Sequence, residues 1–280
     1  MTTTTTGTGT VIAMFEYDFM RTAFAAGFVA AAVAGAVGYF LVLRALTFAG
    51  HALSHVGFAG ATGAVVIGVA PLWGLLAFTL GAAVLMGLLG ERLRGRDVAV
   101  GIVLALSLGL GVLFLHLYTA HATQATTLLF GNVFAVSRAS LIDLTALAVI
   151  SLAALAVLSR PLIFATLDPE LAEAKGLSLR LISVLFLLVV GVAVAEAVQV
   201  VGILLVFALM VGPGASAQRL TSSLGRGVAL AIALAIAETW AGIALAYATD
   251  WPPTFWITVL SAAVFLASLA AARSGRRADA

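Results

Sequence analysis

From about residue 19 to about residue 272 the chain is a succession of long apolar runs broken by short polar interruptions. Crossing a bilayer as a helix takes roughly 20 apolar residues, and most of these runs reach that length. None shows the period-two alternation of a membrane-barrel strand. Lipid offers no partner to bare backbone amides, so spans of this kind must be helices. The pattern predicts helices near 19–43, 52–70, 72–90, 98–118, 139–159, 180–199, 200–217, 228–248 and 254–272, where two neighbours could merge. The expected fold is therefore all-α, a polytopic membrane helix bundle of eight or nine transmembrane helices. LLFGNVF at 128–134 is too short to span and carries a helix-breaking Gly131-Asn132, so it is expected as a short re-entrant or surface element.

Three segments lie outside the apolar pattern. MTTTTTGTGT lacks a basic n-region and a small-residue cleavage site, and is expected to be a disordered tail and not a signal peptide. The domain reading follows: a Thr-rich tail over 1–15, one transmembrane domain over 16–273, and a cytoplasmic tail over 274–280. The longest polar element after the N-terminal tail is LDPELAEAKGLSLR, 167–180, punctuated like a short helix. Asp168 can cap it, Pro169 suits its first position, Glu170 and Glu173 favour its N-terminal end, and Gly176 can take the left-handed closing conformation. Packing against the bundle or against a partner protein would stabilise so short a helix.

Composition agrees: 63% of residues are hydrophobic, 9% are charged and the mean hydropathy is +1.19, far from a soluble domain. There is no cysteine, which excludes thiolate metal ligands. The net charge of +2 is spread among loops and does not point to nucleic acid. Placed on the nine-helix pattern, twelve of the fourteen basic residues fall on one side and only Arg21 and Arg138 on the other. Lys and Arg in short loops mark the cytoplasmic face, so the C-terminus and the 168–176 helix are expected inside, and with nine helices the N-terminus outside. Small residues four apart, such as Gly27, Ala31 and Gly35, suit close helix packing in lipid.

The candidate chemistry is sparse. HALSHVGFAG, 51–60, holds two of the four histidines. Residues four apart on a helix are neighbours, so His51 and His55 would project from one face and could share a metal ion, imidazole being a ligand for zinc and similar ions. The open alternative is that they cap a helix end or bond to backbone. The zinc-protease pattern H-E-x-x-H needs a glutamate where this chain has Ala52, so proteolysis does not follow. Buried polar groups in a membrane are costly unless they serve a pathway or find partners; Glu196, Gln199 and Glu238 are candidate pathway groups, with interhelical hydrogen bonding the alternative. His116 and His121 are candidates for capturing metal at the outer side, or are simply solvated. Asp143 is expected to pair locally near Arg138.

Four segments together resemble the permeases of ABC importers for zinc, manganese or iron. LRALTFAGHALSHVGFAGATGAVVIG, 43–68, is similar to that family's second-helix signature; LLFGN, 128–132, to its extracellular-side element; DPELAEAKGLSLRLI, 168–182, to its coupling region; and VVGILLVFALMVGPGASAQRL, 200–220, to its helix running into a Pro-Ala-rich cytoplasmic turn. The four occur in family order over nearly the whole chain. The resemblance implies a multi-pass permease subunit of a prokaryotic cytoplasmic membrane, working as a homodimer with two ATPase subunits and an extracytoplasmic metal-binding protein. It implies that Asp168, Glu170, Glu173 and Gly176 meet the ATPase, and that the polar pair at His51 and His55 lines the metal route, with no permanently bound cofactor. In place of His51 the family usually has aspartate. Exchanging a carboxylate for imidazole favours zinc over manganese. The chain itself lacks a phosphate-binding GxxxxGK[ST] loop, its one lysine being Lys175, so ATP would be used by the partner. A self-sufficient proton-coupled metal carrier is the other reading, although no inverted pair of broken helices supports it; a membrane enzyme would need a nucleophile and base that are not assembled here.

Overall fold

Ten α-helices account for nearly all of the computed structural model, which describes residues 14–89, 96–117 and 129–278. They are α1 (Asp18–Leu43), α2 (Thr47–Val66), α3 (Pro71–Leu89), α4 (Arg96–Leu117), α5 (Arg138–Leu167), α6 (Pro169–Ala174), α7 (Leu179–Val201), α8 (Ile203–Leu220), α9 (Leu224–Thr249) and α10 (Pro253–Ala278), with a 3-10 turn at Val133–Ala135. No strand occurs among the described residues, and the all-α bundle expected from the apolar pattern is the fold. Nine of these helices are long, matching the nine apolar runs, and none merges with its neighbour. Eight are apolar enough to cross a membrane by composition; α2 is the exception, since its two histidines and four glycines lower its hydropathy. Packing places it inside the bundle all the same, against α3, α4, α7 and α8. The Thr-rich residues 1–13 and His121 lie outside the described residues.

The apolar stretch 179–220 becomes two helices because Gly202 breaks it with φ +78. Gly131, at φ +71, sits directly against Val201 and Gly202, so closely that a Cβ on either glycine would overlap the other segment's backbone. Glycine at both positions is what lets the LLFGN element dock into the α7–α8 break. Val133, 4% exposed, then anchors the 3-10 turn, which packs against α1 and α7.

At the core α1 packs against α8 and α9, and Gly38 lets the backbone of Met210 come into direct contact with it. The expected Pro-Ala-rich turn near the end of α8 is instead helix: α8 continues through Pro213 to Leu220. Pro213 cannot donate to Leu209, but Ser216 Oγ donates to Gly212 O at 2.8 Å and Gly214 nests on Gly38, so the turn is held by side chain and packing. Helix α5 likewise runs through Pro161, for 30 residues or about 45 Å, longer than the roughly 30 Å hydrocarbon core.

The two ends of the bundle differ in charge. At one, Arg44 donates to Ser183 Oγ (3.1 Å), Arg180 to Leu88 O (3.3 Å) and Gln218 to Tyr39 O (2.8 Å), tying the ends of α1, α3 and α8 together around the start of α7. At the other, Asp18 pairs with Arg138 at 3.3 Å and Arg21 at 3.8 Å. Arg21 and Arg138 therefore share an end, as the charge pattern requires.

Candidate functional site

Between Phe48 and Thr62 every residue of α2 is buried except Phe48, His51 and His55. That spacing is one stripe of a helix, so the two half-buried histidines look out of the one open face of an otherwise enclosed element. Their rings lie edge to face, centroids 4.7 Å apart with planes at 82°, and His51 also abuts Phe207 of α8 at 5.0 Å. Phe207 belongs to the partly open stripe of α8 that continues through Val211. The histidine Nδ1 of His51 is buried without a hydrogen-bond partner. Neither ring caps the helix, whose N-terminal residue Leu46 offers no side-chain bond, and His51 stands one turn inside α2 and not at its start as the sequence pattern placed it. Two adjacent imidazoles with a free ring nitrogen can hold one transition-metal ion, but they fill only two of the four positions zinc takes. No group of three or more His, Cys, Asp or Glu that could hold a metal occurs among the described residues.

The candidate pathway groups are set apart from this pair. Glu196 is fully buried on α7, neither carboxyl oxygen having a hydrogen-bond partner, about 25 Å along α7 from the end near which α2 begins. His55 stands about 12 Å along α2. Glu238, 3% exposed, lies on α9, and its two carboxyl oxygens are likewise buried without a hydrogen-bond partner. Gln199 faces elsewhere, into a cleft of about 530 Å³ that it lines with Pro71, Trp73, Ser140 and Asp143. Asp143 does not form the expected local pair, since Arg138 is taken by Asp18 across the bundle. His116 is exposed in the last turn of α4, and its expected companion His121 is not among the described residues.

The 168–176 segment forms the short helix read from its punctuation. Asp168 Oδ1 accepts from Leu171 N at 3.0 Å, Pro169 takes the first turn, and Gly176 closes the helix at φ +83, its N–H donating to Glu173 O (2.8 Å) while Leu177 N donates to Ala172 O (3.0 Å). That pair of bonds is a Schellman closure. Ala172 is the one buried residue of α6; its Glu170, Leu171 and Glu173, and Leu167 just before it, are exposed. The helix thus lies on the basic end of the bundle with its acidic and leucine side chains turned away from it. What the sequence could not show is Phe207, whose contact with His51 joins residues 156 positions apart through folding alone.

A bundle of long apolar helices, with a histidine pair on one open stripe and a short capped helix exposed at one end, has the build of a multi-pass membrane protein. The chain belongs to the ABC 3 transport family, which matches residues 16–272. It is 30% identical over 231 residues, 82% of this chain and 79% of the relative, to the manganese transport system membrane protein MntC of Halalkalibacterium halodurans. It is 27% identical over 256 residues, 91% and 92% of the two chains, to the manganese import system permease protein ScaB of Streptococcus gordonii. Among solved structures it is similar to PsaBC from Streptococcus pneumoniae in complex with Fab, with a TM-score of 0.84, 25% identity, and coverage of 93% of this chain and 94% of that one. The chain is the multi-pass permease subunit of a metal ABC importer, and not itself an enzyme.

Proposed function

We propose that two copies of this chain form a zinc-importing permease in a prokaryotic cytoplasmic membrane. The carrying observation is the His51–His55 pair: two rings 4.7 Å apart on the one open stripe of α2, with a buried Nδ1 left without a partner. Each chain offers two imidazoles, and zinc asks for four ligands, so a second copy meeting this one across the α2–α8 face completes the set. Relatives named for manganese argue for that ion. The imidazole at His51 argues for zinc, because manganese prefers oxygen ligands.

Energy comes from ATPase subunits that grip α6 through Asp168, Glu170, Glu173 and the Gly176 closure, at the end read as cytoplasmic together with the C-terminus. An extracytoplasmic binding protein delivers metal at the other end, where His116 is exposed in the last turn of α4; His121, five positions on in the sequence, is its candidate companion in receiving it. Glu196 and Glu238 are further candidate groups for the route, and their burial makes their part depend on α7 and α9 moving; Gln199 faces the separate cleft beside Asp143, so its part would need that cleft to join the route. Membership of an ABC family favours this ATP-driven reading over a proton-coupled carrier. The test is uptake into vesicles: with permease, ATPase and ATP together, zinc accumulates; accumulation that is undiminished without the ATPase contradicts the proposal.

A further inference from the structure

Opposite the basic end, four aromatic rings and a carboxylate converge on a cleft of about 360 Å³. Phe19 comes from the first turn of α1, Phe134 from the 3-10 turn, Tyr247 and Asp250 from the end of α9, and Trp251 from the link to α10. Phe19 and Phe134 meet edge to face at 6.1 Å, and Trp251 is held by stacking on Trp256 at 5.7 Å and an edge contact with Phe255 at 5.3 Å. Asp250 is exposed, takes a left-handed conformation at φ +57, and makes no ion pair among the described residues.

Aromatic faces carry negative quadrupole potential and attract ammonium groups, and a free carboxylate beside them deepens that potential. One carboxylate among rings is a poor site for a metal ion, which wants several converging donors, and a good one for an organic cation. All five groups sit at helix ends, the level at which Trp and Tyr meet lipid headgroups. We propose that this cleft binds the ammonium of a phosphatidylethanolamine-class headgroup from the leaflet at that end. Arg21 and Arg138 are at the same end but are paired with Asp18 and do not line the cleft, so the recognition rests on the ammonium. A plain interfacial belt of aromatics would show no such headgroup preference.

The test is native mass spectrometry of the purified full-length chain in detergent with equimolar phosphatidylethanolamine and phosphatidylglycerol. Phosphatidylethanolamine is retained preferentially, and Asp250→Asn, which keeps the left-handed tolerance, and Trp251→Leu each cut that retention about two- to fivefold while elution and Tm stay unchanged. Equal retention of the two lipids, or unaltered retention in both variants, overturns the proposal. Free ethanolamine distinguishes the source: weak competition at millimolar levels fits a lipid ligand, and displacement at concentrations equal to the lipid's overturns it in favour of a soluble amine.

Discussion

Two imidazoles one helical turn apart meet only if both rotamers point the same way, and here both rings look out of the single gap in the burial of α2. His51→Ala or His55→Ala should therefore lower metal accumulation at least tenfold while the protein remains in the membrane, measured by isotope uptake alongside quantified membrane content. His51→Asp restores an oxygen donor and should shift competition in favour of manganese over zinc; an unchanged preference would show that this position does not select the ion. Glu196→Gln and Glu238→Gln remove the ionisable group at nearly constant shape, so reduced uptake at unaltered Tm supports their place on the route, and normal uptake refutes it. The pair itself was legible from spacing. Its context was not, because burial of the His51 Nδ1 and the contact with Phe207 depend on how α2 and α8 come together, and because Arg138 found Asp18 and not the nearby Asp143.

Helices α5, α6 and α8 show which local signals survive packing in a membrane bundle. The capping chemistry of α6 is complete within ten residues, and there Asp168, Pro169 and Gly176 do what their residue types dictate. Proline signals inside spans were overridden, α5 passing through Pro161 and α8 through Pro213, since neighbouring helices keep the chain helical where water would not, whereas Gly202 did break the apolar stretch 179–220. The start of α2 moved to Thr47 because it is set by Leu46, Ala49 and Gly50 packing on the bundle, with no capping side chain to announce it. Two predictions belong here. A Cβ at Gly176 meets nothing but costs about 1 kcal/mol of left-handed strain, so Gly176→Ala should weaken ATPase coupling, read as stimulated ATP turnover, without loss of the folded permease. Gly131→Ala must displace the backbone of Val201 and Gly202 and should lower the Tm clearly; a Tm equal to wild type would show that the LLFGN element is not packed into the α7–α8 break.

The nine long helices and the split of charge between the two ends are those of a multi-pass membrane protein, and its family makes it the permease subunit of an ABC importer. Charge reversal at both Glu170 and Glu173 should weaken co-purification with the ATPase, because α6 presents those carboxylates away from its own bundle and is tied to it by little more than Ala172. The overall architecture was legible from apolar run length alone. The half-open stripe on α2 and α8 was not, since it appears only once neighbours cover the rest of both helices. The most direct measurement is X-ray absorption on the zinc-loaded, purified permease, compared with the His51→Ala/His55→Ala double variant. Zinc surrounded by imidazole nitrogen at about 2.0–2.1 Å, lost in the double variant, is the predicted result. Zinc bound as fully and in the same coordination by the variant would contradict it.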